Sequence, residues 1–261
     1  MKIVVCVKQV PDTTDIKWTE NNTIRREGLE SIINPFDVYA VENSLFLKEQ
    51  CKNTEITALS MGPTQADTML KKILALGVDN AVLLCDKKFA GSDTYATAKT
   101  IATAIKKILK DFDLIICGQF ATDGDTAQTG PSIANFLNIP QVTFVKKIGE
   151  YSENSITVVR QTDDGEETVR VELPALICVL KGDFEPKRAK INGVKHALKK
   201  QILIQNSEDI GIDPNETGIK GSPTYVSKAF RAAKRNSECI FTENFDDLTD
   251  IIKKCKGTCD E

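Results

Sequence analysis

Short apolar runs rich in β-branched residues alternate with longer segments of helical periodicity along the first half of the chain. The runs occupy residues 3–7, 55–60, 81–85 and 114–117. The intervening segments, residues 36–50, 64–76, 94–109 and 126–136, place apolar residues on one face of a helix. Strands separated by crossovers of this length pair in parallel, with helices on both faces of the sheet. The alternation therefore predicts an α/β fold with a doubly wound, mostly parallel, Rossmann-like sheet.

The pattern changes after Pro140. Residues 142–148, 155–161, 168–173 and 175–180 are β-rich, and Asp163, Asp164 and Gly165 form a turn signal between two of these runs. They predict an antiparallel extension of the same sheet. From about residue 183 the sequence is basic and poor in apolar residues, which predicts an extended arm or loop. A short amphipathic helix at residues 245–254 ends the chain.

The charge balance and the lengths of the apolar runs limit which partners and which cellular location we expect. There are 34 Lys and Arg residues against 37 Asp and Glu residues, a formal net charge of −3. This balance gives no electrostatic reason to expect nucleic acid or a membrane surface as a partner. No apolar run approaches the roughly 20 residues that span a bilayer. The N-terminus enters a strand without the features of a signal or transit peptide, so we expect a cytoplasmic protein with no membrane span.

The cysteines indicate a reducing compartment. None of the eight forms a CxxC pair, and four lie in or at the ends of strand-like runs, where a reduced thiol acts as a small hydrophobe: Cys6, Cys85, Cys117 and Cys178. Cys255 and Cys259 have a spacing that can ligate a metal, but no partner ligand lies nearby in the sequence. The sequence therefore predicts no metal site.

Four polar segments marked by Gly or Pro follow strands or begin helices, at residues 7–12, 33–37, 60–63 and 117–131. Because the carboxyl ends of parallel strands meet at one edge, these segments outline one crevice, where α/β sheets bind ligands. Neither GxGxxG after the first strand nor GxxxxGK[ST] is present. The combination favours a nucleotide site that holds phosphate by another route.

The longest of these segments has the parts of an anion site. Gly124 and Gly130 permit close backbone approach, and the N–H groups of a helix beginning at Thr126 point outward. Asp123 and Asp125 repel phosphate, so we expect them to cap the helix or to accept hydrogen bonds from a ribose hydroxyl or the adenine amine.

No nucleophile is paired with a base, and the single histidine, His196, lies in the basic segment. A carrier whose cofactor performs the chemistry fits better than a hydrolase. An ATP-using hydrolase or ligase of related architecture remains the alternative from another class. It lacks a phosphate-binding lysine and a carboxylate cluster where such chemistry needs them.

The segments VCVKQVPDT, SIINPFDVYAVE, LSMGPTQAD and GQFATDGDTAQTGP, with LPALICVLKGDFEP further on, resemble the β subunit of an electron transfer flavoprotein. The resemblance runs in unbroken order from Met1 to about Lys200. It implies a heterodimer in which an α subunit carries a mobile FAD domain and the β subunit binds an adenine nucleotide in the crevice. It also implies two parts: an adenine-nucleotide/FAD-binding α/β domain at residues 1–200, including a docking loop at 184–200, and a C-terminal arm with a short helix at 201–261 that packs on the α subunit.

Within that family, DGDTAQTG together with VPD resembles the bifurcating class. That resemblance implies a β-bound FAD that accepts hydride from NADH. One electron then passes to the α-subunit FAD and a partner dehydrogenase, and the other to a low-potential ferredoxin or flavodoxin. Mitochondrial-type β subunits carry a DDDCNQTG-like loop and hold AMP as a structural nucleotide, which is the alternative here. Gly124 in place of a carboxylate removes bulk and charge beside the phosphates, and so favours FAD.

The resemblance also assigns residues. Those that border the cofactor are Cys6, Val7, Lys8, Gln9, Pro11 and Asp12. Those that frame the adenosine are Asn34, Pro35, Phe36, Asp37 and Met61. Those that hold ribose and phosphates are Gln119, Phe120, Ala121, Thr122, Asp123, Gly124, Asp125, Thr126, Ala127, Gln128, Thr129 and Gly130.

The docking segment for a partner dehydrogenase is EPKRAKINGVKHALKK, with Ile191 as an apolar anchor beside Lys190 and Lys195. The residues just after EPK depart from the family's usual aromatic or apolar ones. This leaves a dehydrogenase of acyl-CoA or enoyl-CoA type and one of 2-hydroxyacid type both open.

Overall fold

The computed structural model describes residues 1–12, 31–182, 185–227 and 244–257 of the chain. The strands in chain order are β1 (Lys2–Cys6), β2 (Gln9–Pro11), β3 (Ser31–Ile33), β4 (Glu55–Met61), β5 (Asn80–Leu84), β6 (Leu114–Gly118), β7 (Gln141–Tyr151), β8 (Ser155–Thr162), β9 (Gly165–Glu172), β10 (Ala175–Val179) and β11 (Leu203–Gln205). The helices are α1 (Pro35–Gln50), α2 (Ala66–Leu76), α3 (Thr94–Ile108), α4 (Thr129–Leu137), α5 (Ile191–Lys199), α6 (Ser207–Ile210), α7 (Gly218–Gly221) and α8 (Phe245–Gly257).

Nine of these strands form one sheet in the order β11-β5-β4-β1-β6-β10-β7-β8-β9. The strands from β11 to β7 are parallel, and β8 and β9 add the antiparallel part. This confirms the predicted fold class. The antiparallel extension is smaller than predicted, because β10 and β7 pair in parallel with their neighbours β6 and β10, and the antiparallel pairing begins only between β7 and β8. A separate antiparallel pair, β2 with β3, places Gln9 opposite Ile33. β2 follows β1 in the chain, and β3 leads directly into α1. The pairing of β2 with β3 therefore holds the start of α1 close to the end of β1.

Helices cover both faces of the parallel strands, as buried apolar strands require. On one face Tyr39 of α1, Met69 of α2 and Ala197 of α5 share a core with Val5 of β1. On the other face Ala98 of α3 and Ile133 of α4 pack with Val4, the neighbouring residue of β1. Successive residues of one strand thus enter different cores, which is the alternation expected of a pleated strand.

The prediction of an extended arm or loop from about residue 183 is wrong for residues 191–199, which form α5. Gly193 interrupts the helical pattern in the sequence, but packing explains why a glycine is present at this position. A Cβ at Gly193 would fall on the backbone oxygen of Ala75, so only glycine lets α5 lie this close to α2. The side chain of Lys71 on α2 also donates to the Ala197 carbonyl oxygen.

The chain after α5 packs back on the sheet and on α3. β11 pairs in parallel with β5, and a capping box at Asn206 begins α6. Asp93, the N-cap of α3, accepts hydrogen bonds from the backbone N–H and hydroxyl of Thr224 at 3.0 and 2.7 Å. The structure divides into two units, Met1–Ser227 and Lys228–Glu261, and the functional division after residue 200 stays a prediction.

The second unit contains α8, which agrees with the predicted C-terminal helix at residues 245–254. Cys239, Cys259 and residue 184 of the predicted docking loop lie outside the described residues. Across the ranges that the structure covers, we find no helix with the length and apolar character needed to cross a membrane.

Candidate functional site

The sheet order brings three of the four polar segments to one place. β4, β1 and β6 are neighbours, so Met61 at the end of β4 and the residues that follow β1 and β6, beginning at Val7 and Gln119, lie side by side at the carboxyl edge. The fourth segment, residues 33–37, joins β3 to α1 and hydrogen-bonds to two of them. All the residues predicted to contact cofactor therefore lie on four segments at or next to this edge.

Asn34, which precedes the first turn of α1, hydrogen-bonds to the backbone of the β6–α4 loop. Its side-chain amide donates to the Phe120 carbonyl at 2.8 Å, and its side-chain oxygen accepts from the Thr122 N–H at 3.2 Å. Its own backbone N–H donates to the Lys8 carbonyl at 2.9 Å. Asn34 is buried, so each of these bonds is made out of water, where an unmade bond is costly.

Asp37 joins the two central strands from the same turn of helix. One carboxylate oxygen accepts from the Lys8 N–H at 2.7 Å, and the other accepts from the Gly118 N–H at 3.2 Å. Burial raises the pKa of this carboxyl to about 7, against the opposing effect of the Asn34 side chain, of these two N–H groups and of the charge on Lys8. Asp37 therefore holds the carboxyl ends of β1 and β6 at a fixed separation.

Glycine at position 118 makes this bridge possible. A Cβ there would fall on the Asp37 carboxylate and on the backbone and Cβ of Phe36. Gly130, in the first turn of α4, is similarly confined, because its Cβ would fall on the Cys178 sulfur. Gly124 differs from both, since a Cβ there would meet no atom within 4 Å.

The β6–α4 loop offers backbone donors to solvent. Asp125 and Ala127 have positive φ angles of 50° and 56°, and α4 begins at Thr129 rather than at the predicted Thr126 because helical geometry cannot form through them. Within the described residues, the backbone N–H groups from Thr126 to Gly130 have no hydrogen-bond partner. Unpaired N–H groups at a helix N-terminus are a ready site for an anion.

The loop aspartates do not cap α4, contrary to one of the two roles expected for them. The N-cap is Gln128, with no side-chain capping bond, and the Gln128 side chain accepts instead from the Thr94 hydroxyl at 3.0 Å. Asp123 forms an ion pair with Lys8 at 2.7 Å. The pair offsets the negative charge that would oppose a phosphate at this loop.

Three aromatic rings border the loop. The Phe36 and Phe120 centroids are 5.4 Å apart, those of Phe120 and Phe144 are 5.9 Å apart, and both pairs are edge-to-face. Phe144 has a φ of 57°, a conformation rare for a bulky residue. The buried Gln119 side chain accepts from its N–H at 2.6 Å and so maintains it. Phe144 is not among the predicted site residues, because a phenylalanine in a strand carries no signal of its backbone angle.

The remaining predicted residues are placed as follows. Gln9 and Pro11 lie in β2, with Asp12 directly after it, and Cys6 and Met61 end β1 and β4 and pack on the core beneath α3 and α4. The three residues predicted for docking lie elsewhere, on and just before α5. Among the described residues, no group of His, Cys, Asp and Glu is arranged to hold a metal ion.

Comparison with known proteins gives consistent matches over nearly the whole chain. A family model described as an electron transfer flavoprotein domain matches residues 21–203. The chain is 43% identical to subunit CarD of the caffeyl-CoA reductase-Etf complex of Acetobacterium woodii, covering 92% of each chain. It is 43% identical to the electron transfer flavoprotein subunit beta of Thermoanaerobacterium thermosaccharolyticum, covering 94% of this chain and 93% of that one. It is 39% identical to the acryloyl-CoA reductase electron transfer subunit gamma of Anaerotignum propionicum, covering 97% and 98%.

Gly118, which ends β6, and Gly124 of the β6–α4 loop make a matched pair of substitutions. Gly118→Ala forces a methyl group onto Asp37 and Phe36, and we expect it to lower the free energy of unfolding by about 1 to 3 kcal/mol. Gly124→Ala adds the same methyl group in open space, outside the left-handed region, and we expect a change within about 0.5 kcal/mol. Urea unfolding of both variants measures the difference. Equal effects would show that Gly118 is not confined by the Asp37 bridge.

The raised pKa of Asp37 predicts a pH-dependent contribution to stability. Its ordinary value is 3.8 and its folded value is about 7. Between these, the folded chain keeps a proton that the unfolded chain has lost, so this contribution falls as pH rises, by up to about 1.4 kcal/mol per pH unit. The contribution of Asp37 to stability is constant below pH 3.8 and levels off above about pH 7. The measurement is the free energy of unfolding by urea, for wild type minus Asp37→Asn, at intervals from pH 4 to 8.

Other titrating groups cancel in that difference. We expect the wild type to lose stability relative to Asp37→Asn as the pH rises from 4 to 7. A difference that stays level or increases over this range would mean that the carboxyl is ionised at ordinary pH values in the folded chain.

Proposed function

Because this chain belongs to the electron transfer flavoprotein family, as a β subunit, we propose that it binds FAD at the carboxyl edge of its sheet and serves NADH-dependent electron bifurcation. The observation that carries the proposal is the β6–α4 loop. Its free N–H groups from residue 126 to residue 130 are suited to phosphate, and the empty space at Gly124 leaves room for a diphosphate. AMP has only one phosphate, so it needs fewer backbone N–H donors and less space.

The residues of this chain bind and orient such a cofactor. The backbone N–H groups at the start of α4 bind the phosphates, while the Lys8 side chain keeps Asp123 from repelling them. Asp125, Thr126 and Thr129 supply oxygen atoms for the hydroxyl groups of the ribose. Asn34 and Asp37 fix the loop to β1 and α1 before any ligand binds. Preorganisation of this kind reduces the entropy lost on binding.

Apolar residues complete the proposed site. Cys6 and Met61 end the neighbouring strands β1 and β4, and these two residues provide a surface for the adenine ring. The Phe36, Phe120 and Phe144 cluster excludes water from one side of the loop. FAD bound here would accept hydride from NADH and supply one electron to the α-subunit FAD and a partner dehydrogenase, and one to a low-potential ferredoxin or flavodoxin.

We propose α5 as the docking surface for the partner dehydrogenase. Ile191, Val194 and Leu198 are exposed, at 77%, 43% and 71%, and their spacing puts them on one side of the helix. Lys190, Lys195 and Lys199 surround them with positive charge. Exposed apolar side chains rimmed by polar ones mark interaction surfaces. Two relatives are named as parts of reductase complexes for caffeyl-CoA and acryloyl-CoA, which favours a flavin-dependent dehydrogenase of the enoyl-CoA type over the 2-hydroxyacid type.

A second exposed surface suits the α subunit. Tyr225 and Val226 are exposed at 85% and 86%, where the chain leaves its contacts with the start of α3. Tyrosine is enriched in protein interfaces, and here it stands beside a second exposed apolar side chain. We propose that the C-terminal part of the chain contacts the α subunit through them.

Extraction of the cofactors from the purified αβ heterodimer tests the proposed function. We expect two FAD per heterodimer, with the second reduced by NADH. One FAD and one AMP would mean that the chain is a non-bifurcating β subunit with a structural nucleotide. The comparison is made by chromatography of the acid extract against FAD and AMP standards.

Two variants at position 124 test whether Gly124 determines which nucleotide the chain binds. Gly124→Asp adds bulk and a negative charge beside the phosphates, and we expect it to lower FAD retention in the β subunit at least tenfold, equivalent to about 1.4 kcal/mol. Gly124→Ala adds bulk alone and serves as the control, with a smaller loss expected. If Gly124→Asp retained FAD fully, this position would not select the nucleotide.

Ile191→Glu tests the docking surface. Placing a charge on the apolar anchor removes about 1.5 to 3 kcal/mol of burial energy in the complex, so transfer to the dehydrogenase is expected to fall tenfold or more at subsaturating concentrations. Reduction of the flavin by NADH is expected to be unchanged. Ile204→Glu, an exposed isoleucine of β11, is the matched control, and stopped-flow spectroscopy follows both steps. Undiminished transfer in Ile191→Glu would rule out α5 as the docking surface.

A further inference from the structure

Lys187 joins the segment that leads into α5, residues 185–190, to α1. We propose that Glu42 of α1 is a positioning residue for the partner dehydrogenase, because its carboxylate holds the backbone of Lys187 and thereby places Ile191 at the start of α5. This inference rests on the proposed docking role of α5. It gives a buried residue of a different helix a part in that role.

The contact between Glu42 and the segment is made to the backbone. The Lys187 N–H donates to the Glu42 carboxylate at 2.8 Å, and Glu42 is only 5% exposed. A buried carboxylate is costly unless it accepts hydrogen bonds, so this N–H satisfies Glu42 at the same time as Glu42 holds the segment. Hydrogen bonds to a charged acceptor are also among the stronger ones in proteins.

Packing does little to fix the path of the segment. Among the described residues from 185 to 190, Lys187 alone hydrogen-bonds to α1, α2 or the sheet. Residues 187–190 are all exposed. Lys187 also lines an open cavity of about 260 Å³ together with Leu45 of α1 and Leu76 of α2. The bond to the buried Glu42 is therefore the contact that determines where the segment lies.

The position of Ile191 depends on this segment because α2 holds α5 only further along the helix, from Gly193 onward. Lys190, the N-cap of α5, makes no side-chain capping bond. The first turn of a helix without a cap is its least constrained part. The direction in which the chain enters α5 therefore decides where the Ile191 side chain is presented to a partner.

Glu49 provides an internal comparison. It lies seven residues after Glu42, on nearly the same side of α1, and its carboxylate accepts from the Lys187 ammonium at 2.7 Å. This hydrogen bond, with the charges of Glu49 and Glu42, raises the pKa of Lys187 against the effect of burial. Both side chains of the Lys187–Glu49 pair are mostly exposed, at 58% and 61%, and exposed ion pairs contribute little. The positioning role therefore belongs to Glu42.

Hydrogen exchange of the Lys187 amide in the purified αβ heterodimer tests the contact. Glu42→Leu keeps a side chain of similar size but removes the acceptor, and we expect the amide to exchange about tenfold faster. Glu42→Gln keeps an acceptor oxygen, and Glu49→Leu is the matched control at the exposed carboxylate. Both are expected to exchange at the wild-type rate. Equal exchange in Glu42→Leu and wild type would overturn the proposal, since the bond would then be absent in solution.

Electron transfer tests the role in docking. The heterodimer, reduced with dithionite, is titrated into a flavin-dependent acyl-CoA dehydrogenase from the same organism, and stopped-flow absorbance gives the rate. We expect Glu42→Leu to raise the half-saturating concentration about fivefold, because a loosened segment must be ordered when the complex forms. The rate at saturation is expected to be unchanged, and Glu42→Gln is expected to restore the wild-type value. Faster exchange without a change in half-saturating concentration would overturn the proposal, since Glu42 would then be structural only.

Ile191→Glu separates this inference from the proposed function. If Ile191→Glu weakens docking and Glu42→Leu does not, α5 docks the dehydrogenase but the role of Glu42 is wrong. If neither variant changes transfer, the docking surface itself is wrong, and this inference falls with it. Lys187→Pro removes the same N–H from the exposed side of the contact and is the second variant if Glu42→Leu fails to fold. The same increase is expected for it, and an unchanged value would overturn the proposal.

Discussion

The bridge from the Asp37 carboxylate to the backbone of Lys8 and Gly118 is the interaction on which the site depends. It joins two parallel strands at the point where their own pairing ends, and it does so from the first turn of α1. A parallel sheet leaves the strand ends without a mutual hydrogen bond, so something else must fix their separation. Here a buried side chain does so, at the cost of desolvating a carboxyl whose pKa rises to about 7 as a result.

Much of the remaining loop geometry follows from that bridge. With β1 and β6 fixed, Asn34 can reach the Phe120 and Thr122 backbone, and Lys8 can reach Asp123. The loop then turns through left-handed residues and leaves the N–H groups at the start of α4 unpaired. Such conformations cost free energy and persist only when their surroundings impose them. The proposed anion site is thus a property of backbone shape, which side chains outside the loop maintain.

This explains what the sequence could and could not reveal. Alternating strands and helices predict the sheet, its parallel centre and the edge where ligands bind, because burial and periodicity are local signals. The roles of Asp37 and Gly118 depend on contacts between residues 81 positions apart, for which one sequence has no signal. The sequence does not predict α5, because Gly193 lowers its helix propensity and the reason for that glycine lies on α2. The left-handed angles of Asp125, Ala127 and Phe144 belong to the same class of tertiary effects.

In this arrangement, the stability of the sheet and the proposed choice of ligand and partner depend on different residues. The β6–α4 loop is held by hydrogen bonds to Asn34, next to the Asp37 bridge at the strand ends, whereas the proposed choice of nucleotide rests on Gly124, an exposed position where an added Cβ would meet no atom within 4 Å. A change there is therefore expected to alter the proposed ligand without straining the scaffold. α5 rests on α2 and exposes Ile191 and Leu198, so its outer face can also vary without disturbing the strand ends. Members of one family can therefore differ in nucleotide and in dehydrogenase partner while sharing the same sheet, because neither surface carries the packing that holds the sheet together.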